Sequence, residues 1–341
     1  MARARPETTP GPLDEIYAPV RAKIEEVDRR FADELSAGDS SIAELLAHVS
    51  RYRGKRLRPA LLLLSGKAAG NLNPAHIHLA MAVEAVHTAT LVHDDVLDEA
   101  TLRRHAPTVN RLWGNEASVL LGDYLFAAAF KYATRAENIE ASRILSDSSA
   151  VVCEGELMQI EERGNFDLTE ARYIEIVKKK TASLCAASCR LGVLCADGGE
   201  DAARSLFEYG ESLGVAFQIV DDCLDLVGRE SEAGKSLGTD LKKGKLTLPV
   251  ISMLNRSSSR EEILLLLRPK DGGLDVDAVR KSAEESGAIK HALAVAAQFI
   301  DSAKACLAAD TGPEIRRSMS NLADYVVSSQ RRPARAAPVG E

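Results

Sequence analysis

The chain has 341 residues, of which 45% are hydrophobic and 27% are charged, so it can bury a large core and is not disordered as a whole. Its 43 lysines and arginines are outnumbered by 50 aspartates and glutamates, and a net charge of −7 argues against a globally basic nucleic-acid-binding protein. Aromatic residues make up only 4%, so platforms for base stacking are poorly supplied. The six cysteines include no CxxC pair, and we expect reduced, mostly buried thiols in a cytoplasmic protein.

Both ends of the chain are expected to be frayed, over residues 1–12 and 331–341, because they are short, polar and rich in proline. The N-terminus lacks the apolar stretch of a secretory signal. The longest apolar runs fall far short of the ~18 residues that a membrane span requires. Between the two ends we find no linker and no repeat, so residues 13–330 are predicted to form one domain without an integral membrane segment.

Helical composition dominates that domain, since alanine, leucine, glutamate, lysine and arginine are abundant and β-branched alternation is scarce. In chain order, helices are predicted at 13–36, 40–49, 55–69, 74–99, 116–133, 137–163, 169–196, 200–228, 247–255, 259–267, 275–286, 288–308 and 313–329. The most loop-like internal segment is 228–244. Several helices exceed 20 residues and are apolar over wide arcs, which predicts an all-α fold, a single large helical bundle with buried central helices.

Two aspartate-rich patterns are far apart in the sequence. The first, DDVLD, contains Asp94, Asp95 and Asp98, and the second, DDCLD, contains Asp221, Asp222 and Asp225. In each pattern the first and last aspartates are four residues apart, which places them on one face of a helix. Carboxylates on an apolar helix need a compensating cation, and hard oxygen ligands with room for water and phosphate suit Mg²⁺. The pair predicts Mg²⁺ ions that grip a diphosphate; two solvated acidic helix ends are the alternative.

Basic residues predict sites for two polyanions, one held through metal and one held directly. The candidates are Lys55 and Arg58 at a helix start, Arg103 and Arg104 after the first aspartate pattern, Lys180 before Thr181, and Lys235 and Lys245, which each follow a glycine. His87 precedes Asp94 by two helical turns on the same face, and is either a core residue or part of the site. No HExxH or Walker motif is found, and the two GxSxG matches, GESLG at 210–214 and GKSLG at 234–238, do not follow a predicted strand as a nucleophile elbow would, which suits a reaction driven by metal and diphosphate.

Seven motifs occur in an order and at a spacing that resemble the trans-isoprenyl diphosphate synthases, the polyprenyl synthetase family, over about residues 20–325. They are GKRLRP, HTATLVHDDVLDEATLRR, GDYLFA, GELMQI, KKKTASL, FQIVDDCLDL and GKSLGTDLKKGKLTLP. The resemblance implies the isoprenoid synthase fold, an all-α bundle around a central cavity, usually in a homodimer. It also implies an enzyme that uses a cluster of three Mg²⁺ ions to join isopentenyl diphosphate to an allylic diphosphate.

The resemblance further implies a role for each matching residue. Direct Mg²⁺ ligands would be Asp94, Asp98 and Asp221, with support, partly through water, from Asp95, Asp222 and Asp225. The isopentenyl diphosphate pocket would contain Lys55, Arg58, His87 and Arg104. The allylic diphosphate would be held by Arg103, Lys180 and Lys245 with help from Lys235, and Thr181 and Gln218 would lie beside the carbocation. One departure is visible, since His105 and Ala106 replace the glycine and basic residue that commonly follow the arginine pair.

The resemblance also implies that product length depends on the residues four and five before the first aspartate, here Thr90 and Ala89, which are both small. Small residues here resemble those of medium- and long-chain enzymes, which make octaprenyl, heptaprenyl or hexaprenyl diphosphates, the precursors of quinone side chains. Deeper candidates for the cavity floor are Phe126, Phe130 and Met158.

A short-chain farnesyl or geranylgeranyl diphosphate synthase is the main alternative. More distant rivals are a class I terpene cyclase, a non-catalytic subunit of a heteromeric synthase and a plain helical scaffold. A long prenyl product also predicts transient membrane contact during release.

Overall fold

A computed structural model describes residues 11–36, 40–50, 52, 54–104, 106–228, 238–256, 260–268, 274–308 and 311–328. Helices α1 to α5 span Pro12–Ile16, Arg21–Ser36, Ser40–Val49, Leu57–Ala69 and Pro74–Leu97. Strands β1, Leu102–Arg103, and β2, Ala106–Pro107, pair as an antiparallel hairpin. Helices α6 to α8 span Val109–Thr134, Ile139–Glu161 and Glu170–Val177. A π-helical turn, Lys178–Ala182, leads into α9, Ser183–Cys195, and α10, Glu200–Val227. Helices α11 to α16 span Thr239–Lys242, Leu248–Arg256, Arg260–Leu266, Val276–Glu285, Ala288–Ala305 and Pro313–Ser328.

The core lies between the central helices, as the wide apolar arcs predicted. Helix α9 packs between α4 and α10, and α5 packs extensively against α6. In α4 the four consecutive leucines at positions 61–64 have no exposed surface, so this helix is buried all round. Four of the six cysteines are buried, and all six are free. Among the described residues, no helix combines the length and apolar character needed to cross a membrane.

Several element boundaries differ from the prediction for local reasons. The helix expected at 13–36 begins at Pro12 and is interrupted by a 3-10 turn, Ala18–Val20, because Pro19 cannot continue an α-helical hydrogen-bond ladder. Helix α6 begins at Val109 rather than 116 and continues across a kink at Gly114, whose φ of 86° is not helical. The single helix expected at 169–196 contains the π-helical turn. Within the segment 228–244, expected as loop, residues Thr239–Lys242 form the short helix α11, and residues 229–237 lie outside the described residues.

Candidate active site

The two aspartate patterns lie in the last turns of the long helices α5 and α10, as predicted. Side chains of the π-helical turn extend toward both patterns. From this turn, Lys180 extends its Nζ to 3.9 Å from Oδ2 of Asp94, and its neighbour Thr181 donates a 2.9 Å hydrogen bond to Oε1 of Gln218 on α10. The other two lysines of the run, Lys178 and Lys179, pair with Glu211 and Glu154 instead. Insertion of one residue into the helical repeat therefore points Lys180 and Thr181 at the two patterns, and π-turns recur at functional sites.

Lys180 is held by carboxylates on two helices. It forms an ion pair with Glu156 and donates a 2.8 Å hydrogen bond to Gln159, both on α7. Burial alone would lower the pKa of Lys180, but Asp94 and Glu156 hold it above its ordinary value. The ammonium group is therefore a fixed positive charge beside the first aspartate pattern.

Asp222 is the centre of a buried hydrogen-bond chain in the second pattern. Its Oδ1 accepts a 2.7 Å bond from Nε2 of Gln218, and its Oδ2 accepts a 2.6 Å bond from the Tyr173 hydroxyl on α8. Burial raises the pKa of Asp222 to about 8. These bonds fix the amide of Gln218, whose Oε1 in turn accepts from Thr181.

Asp225 organises the segment that follows the second pattern. Its carboxylate accepts hydrogen bonds from the Thr239 hydroxyl at 3.1 Å and the Asp240 N–H at 3.3 Å, at the start of α11. Acidic groups are favoured at that position because the first N–H groups of a helix have no internal partner. Lys245, three residues beyond α11, is thereby returned to the first pattern, where its Nζ lies 2.8 Å from Oδ1 of Asp98. Burial alone would raise the pKa of Asp98, but Lys245 and Lys243 hold it below its ordinary value.

Exposure divides the six aspartates into two groups. The partly exposed aspartates are Asp94, Asp98 and Asp221, and the buried ones are Asp95, Asp222 and Asp225, which are 0%, 5% and 3% exposed. The first group coincides with the residues that the family resemblance assigns as direct metal ligands. Among the described residues, no three His, Cys, Asp or Glu side chains lie close enough together to enclose a metal ion.

A second cationic region surrounds His87 on α5. Burial and the guanidinium groups of Arg58, Arg104, Arg103 and Arg56 hold the pKa of His87 well below its ordinary value, so the imidazole is neutral. A neutral imidazole presents one N–H donor and one acceptor. The region therefore concentrates positive charge around a neutral donor, which suits a second anion.

Arg56 belongs to this region although it was not among the sequence candidates. It takes the left-handed conformation before α4, with φ of 51°, and pairs with Glu84 on α5 and, at 2.7 Å, with Asp28 on α2. Glu84 is 5% exposed, and its pKa is raised by burial. Glu84 could have been noticed in the sequence, because it is a lone carboxylate in an otherwise apolar stretch, one turn before His87.

The β1–β2 hairpin presents the two arginines. Arg103 donates a 2.8 Å hydrogen bond from Nε to Oδ1 of Asp95, so the structure gives that buried aspartate an arginine partner. Arg104, with φ of 52°, donates to the carbonyl oxygen of Tyr52 and packs against Gly54. Lys55, the residue after Gly54, has its Nζ 5.8 Å from the ring centroid of Phe217 and 5.5 Å from that of Tyr325.

The remaining predicted positions differ in exposure or lie outside the described residues. Lys235 and His105 lie outside the described residues. Ala89 has no exposed surface, so no water-sized space adjoins it, whereas Thr90 is partly exposed. Phe130 is 40% exposed on the outside of α6, so within one chain it does not floor an internal cavity, while Phe126 and Met158 are partly buried.

Comparisons with known proteins agree with this arrangement. The chain matches the family model described as Polyprenyl synthetase over residues 39–285, more than half its length. A curated relative, the short chain isoprenyl diphosphate synthase of Methanothermobacter thermautotrophicus, is 34% identical over 323 residues, covering 93% of this chain and 99% of the relative.

Two solved structures are similar throughout. A polyprenyl synthase from Caulobacter crescentus, complexed with calcium and isoprenyl diphosphate, is 36% identical with a TM-score of 0.87, covering 94% of this chain and 99% of that one. A decaprenyl diphosphate synthase from Rhodobacter capsulatus is also 36% identical, with a TM-score of 0.86, covering 94% of this chain and 100% of that one. The predicted all-α isoprenoid synthase fold is therefore confirmed, and the chain belongs to the polyprenyl synthetase family of prenyltransferases.

Proposed function

We propose that this enzyme condenses isopentenyl diphosphate with an allylic diphosphate to give a medium- or long-chain all-trans polyprenyl diphosphate for quinone side chains. The observation that carries the proposal is the meeting of two different anion sites at α5. One combines the aspartates with Lys180 and Lys245, and the other combines arginines with neutral His87. A terpene cyclase, which takes a single diphosphate, would not need the second site.

Mg²⁺ is the metal that this donor set fits. Asp94, Asp98 and Asp221 offer hard carboxylate oxygens that stay partly exposed, and they do not form a closed protein cage. Mg²⁺ commonly keeps several waters and binds through one or two carboxylates together with substrate phosphates. Bound there, Mg²⁺ ions, three by family resemblance, would neutralise charge on the departing diphosphate. The solved Caulobacter relative contains calcium and isoprenyl diphosphate, which supports a divalent metal here.

The residues of the chain account for the remaining chemistry. Lys180, Lys245 and Arg103 hold the allylic diphosphate while its C–O bond breaks to leave a carbocation. Thr181 and Gln218 present oxygen atoms beside that cation, held in place through Asp222. The alkene of isopentenyl diphosphate, bound near His87, attacks the cation to form the new C–C bond. The proton then lost passes to a diphosphate oxygen, so no protein base is required.

Product length is proposed from the small side chain at Thr90, which is partly exposed, whereas Ala89, the other predicted position, has no exposed surface. The similarity to a decaprenyl diphosphate synthase supports a long product, and the similarity to a short chain synthase keeps the shorter alternative open. A non-catalytic subunit is disfavoured because all six aspartates are present. Cytoplasmic location and transient membrane contact during product release stay predictions.

A homodimer is proposed through the outer face of α6. Large apolar side chains there are exposed although the helix is long and otherwise well packed: Leu112, Val119, Leu120, Tyr124 and Phe130. Leu120 and Tyr124 are four residues apart and Val119 and Phe130 are eleven apart, spacings that place each pair on one side of the helix, and exposed apolar surface of this kind marks protein interfaces. A second copy of the chain is the partner that the family resemblance implies.

A product assay tests the proposed function. Purified protein receives Mg²⁺, labelled isopentenyl diphosphate and, separately, dimethylallyl, geranyl, farnesyl or geranylgeranyl diphosphate, and the dephosphorylated products are sized by chromatography. We expect polyprenols longer than those of a geranylgeranyl diphosphate synthase. A product that stops at farnesyl or geranylgeranyl length would favour the short-chain alternative. Hydrocarbon formed from a primer alone, with isopentenyl diphosphate unused, would favour a cyclase.

A further inference from the structure

Arg163, just beyond the end of α7, is the least satisfied charged group near the aspartates. Its Nη2 lies 3.9 Å from Oδ1 of Asp98, beyond hydrogen-bond distance, while Lys245 lies 2.8 Å from the same oxygen. The Nε and Nη2 atoms of Arg163 are buried and have no hydrogen-bond partner among the described residues. The Arg163 side chain is 30% exposed overall, and its two buried N–H groups without an acceptor cost free energy unless an anion supplies one.

The position of Arg163 is fixed by the backbone that follows it. The Gly164 N–H donates a 2.8 Å hydrogen bond to the carbonyl oxygen of Gly244, the residue between Lys243 and Lys245. Both glycines have a φ of 72°, in the left-handed region that side chains disfavour. This glycine pair joins the end of α7 to the lysine segment, so Arg163, Lys243 and Lys245 approach Asp98 from two parts of the chain.

We propose that Arg163 is a further substrate-binding residue that donates to the allylic diphosphate beside Lys245. The proposal depends on the proposed function. Once Asp98 binds a metal, the negative charge of its carboxylate is neutralised by the metal, so Lys245, Lys243 and Arg163 need another anion as their partner. A diphosphate bridging the metal and these cations supplies it. Arginine suits the role because its planar donors bind two phosphate oxygens at once, whereas a lysine binds as a point charge.

Substitution of Arg163 by glutamine removes the charge and keeps part of the shape. The matched control is Arg143→Gln on α7, where an arginine with a 66% exposed side chain pairs with Glu140. We expect R163Q to raise the KM for the allylic diphosphate and the Kd for inorganic pyrophosphate with Mg²⁺ each by about 10-fold, the loss of one charge-assisted contact. The KM for isopentenyl diphosphate should stay within about twofold of the wild type, and R143Q should change nothing.

A third variant, Arg163→Lys, retains the charge without the planar donors and should fall between R163Q and the wild type. It keeps the test meaningful if R163Q unfolds, which a thermal melt reports. The proposal is overturned if R163Q and R143Q behave alike, or if both KM values rise equally. If the wild type never joins the two diphosphates, the proposed function fails, and pyrophosphate binding measured by calorimetry still decides the role of Arg163.

Discussion

Nζ of Lys245 lies 2.8 Å from Oδ1 of Asp98, although 147 residues separate the two in the sequence. The contact closes the site between the first aspartate pattern and the segment beyond the second. It depends on Asp225, which holds the start of α11 by accepting from Thr239 and Asp240. Residues of the two patterns thus have different tasks, since Asp98 faces the site and Asp225 positions the lysine that reaches it.

The partly exposed aspartates should carry the metal-dependent step. Asp94→Asn or Asp221→Asn should lower turnover by at least about 10³-fold, because the variant no longer holds the metal that neutralises the charge developing on the diphosphate in the transition state. Burial raises the pKa of Asp94, so its charged form is disfavoured in the fold, and Glu156 and Gln159 still hold Lys180 in D94N, so this variant should not lower the unfolding temperature. The wild type should melt at a higher temperature with Mg²⁺ and pyrophosphate, whereas D94N should not respond. The control is Asp33→Asn, at a side chain that is 68% exposed; an active D94N would contradict the assignment.

His87 should make the protein less stable in acid. Its pKa in the fold lies well below 6.5, so on acidification the unfolded chain binds the proton first. Stability is therefore complete above pH 6.5 and falls below it, by up to about 1.4 kcal/mol between pH 7.5 and 5.5 for one histidine. His76 and His78 act in the same direction. Urea unfolding of His87→Gln at both pH values should show a smaller loss; an unchanged loss would mean that His87 is charged in the fold.

Gly54 should be required for the position of Arg104. A Cβ atom at residue 54 would lie 2.4 Å from Nη2 of Arg104, so Gly54→Ala must displace that side chain from the second anion site. Because only a flexible side-chain end moves, we expect little change in stability but a rise of about 10-fold in the KM for isopentenyl diphosphate. Gly199→Ala is the control, since a Cβ atom there meets nothing within 4 Å. Equal kinetics for the two variants would show that Arg104 does not bind this substrate.

The two residues predicted to limit product length should respond differently to enlargement. Thr90 is partly exposed, so Thr90→Phe should fit and shorten the product measured by chromatography. Ala89 has no exposed surface, so Ala89→Phe should overpack the core and cost about 1–3 kcal/mol in urea unfolding. A stable A89F that shortens the product as strongly as T90F would show that space opens beside Ala89 when substrate binds.

The α6 face should hold the homodimer together. Leu120 is 67% exposed, and Leu120→Glu places a charge in the proposed interface, where an unpaired buried charge is costly. Analytical ultracentrifugation should show a dimer for the wild type and a monomer, or a much weaker dimer, for L120E. The matched control is Leu265→Glu on α13, where a leucine that is 61% exposed does not belong to the outer face of α6. Dimers of L120E at low micromolar concentration would place the interface elsewhere.

Much of the fold could be predicted because helical signals are local. The bounds of α5 and α10 were predicted to within two residues, since Asn73 and Pro74 start the first and Gly228 follows the second. The kink at Gly114 was missed because a glycine with helical flanks reads as a break. The π-helical turn was missed because nothing in KKKTA distinguishes it from an ordinary helical turn.

The all-α class, the two aspartate helices and the set of candidate cations could be predicted from the sequence alone, because spacing on a helix and residue chemistry are properties of short segments. Which of those cations share a site depends on the tertiary structure. It turned Lys180, but not Lys178 or Lys179, toward Asp94, and it buried Asp95 against Arg103. It also brought Arg163 to Asp98. Contacts of this kind depend on how helices distant in sequence pack, and packing fixes the positions of charges that composition can only supply.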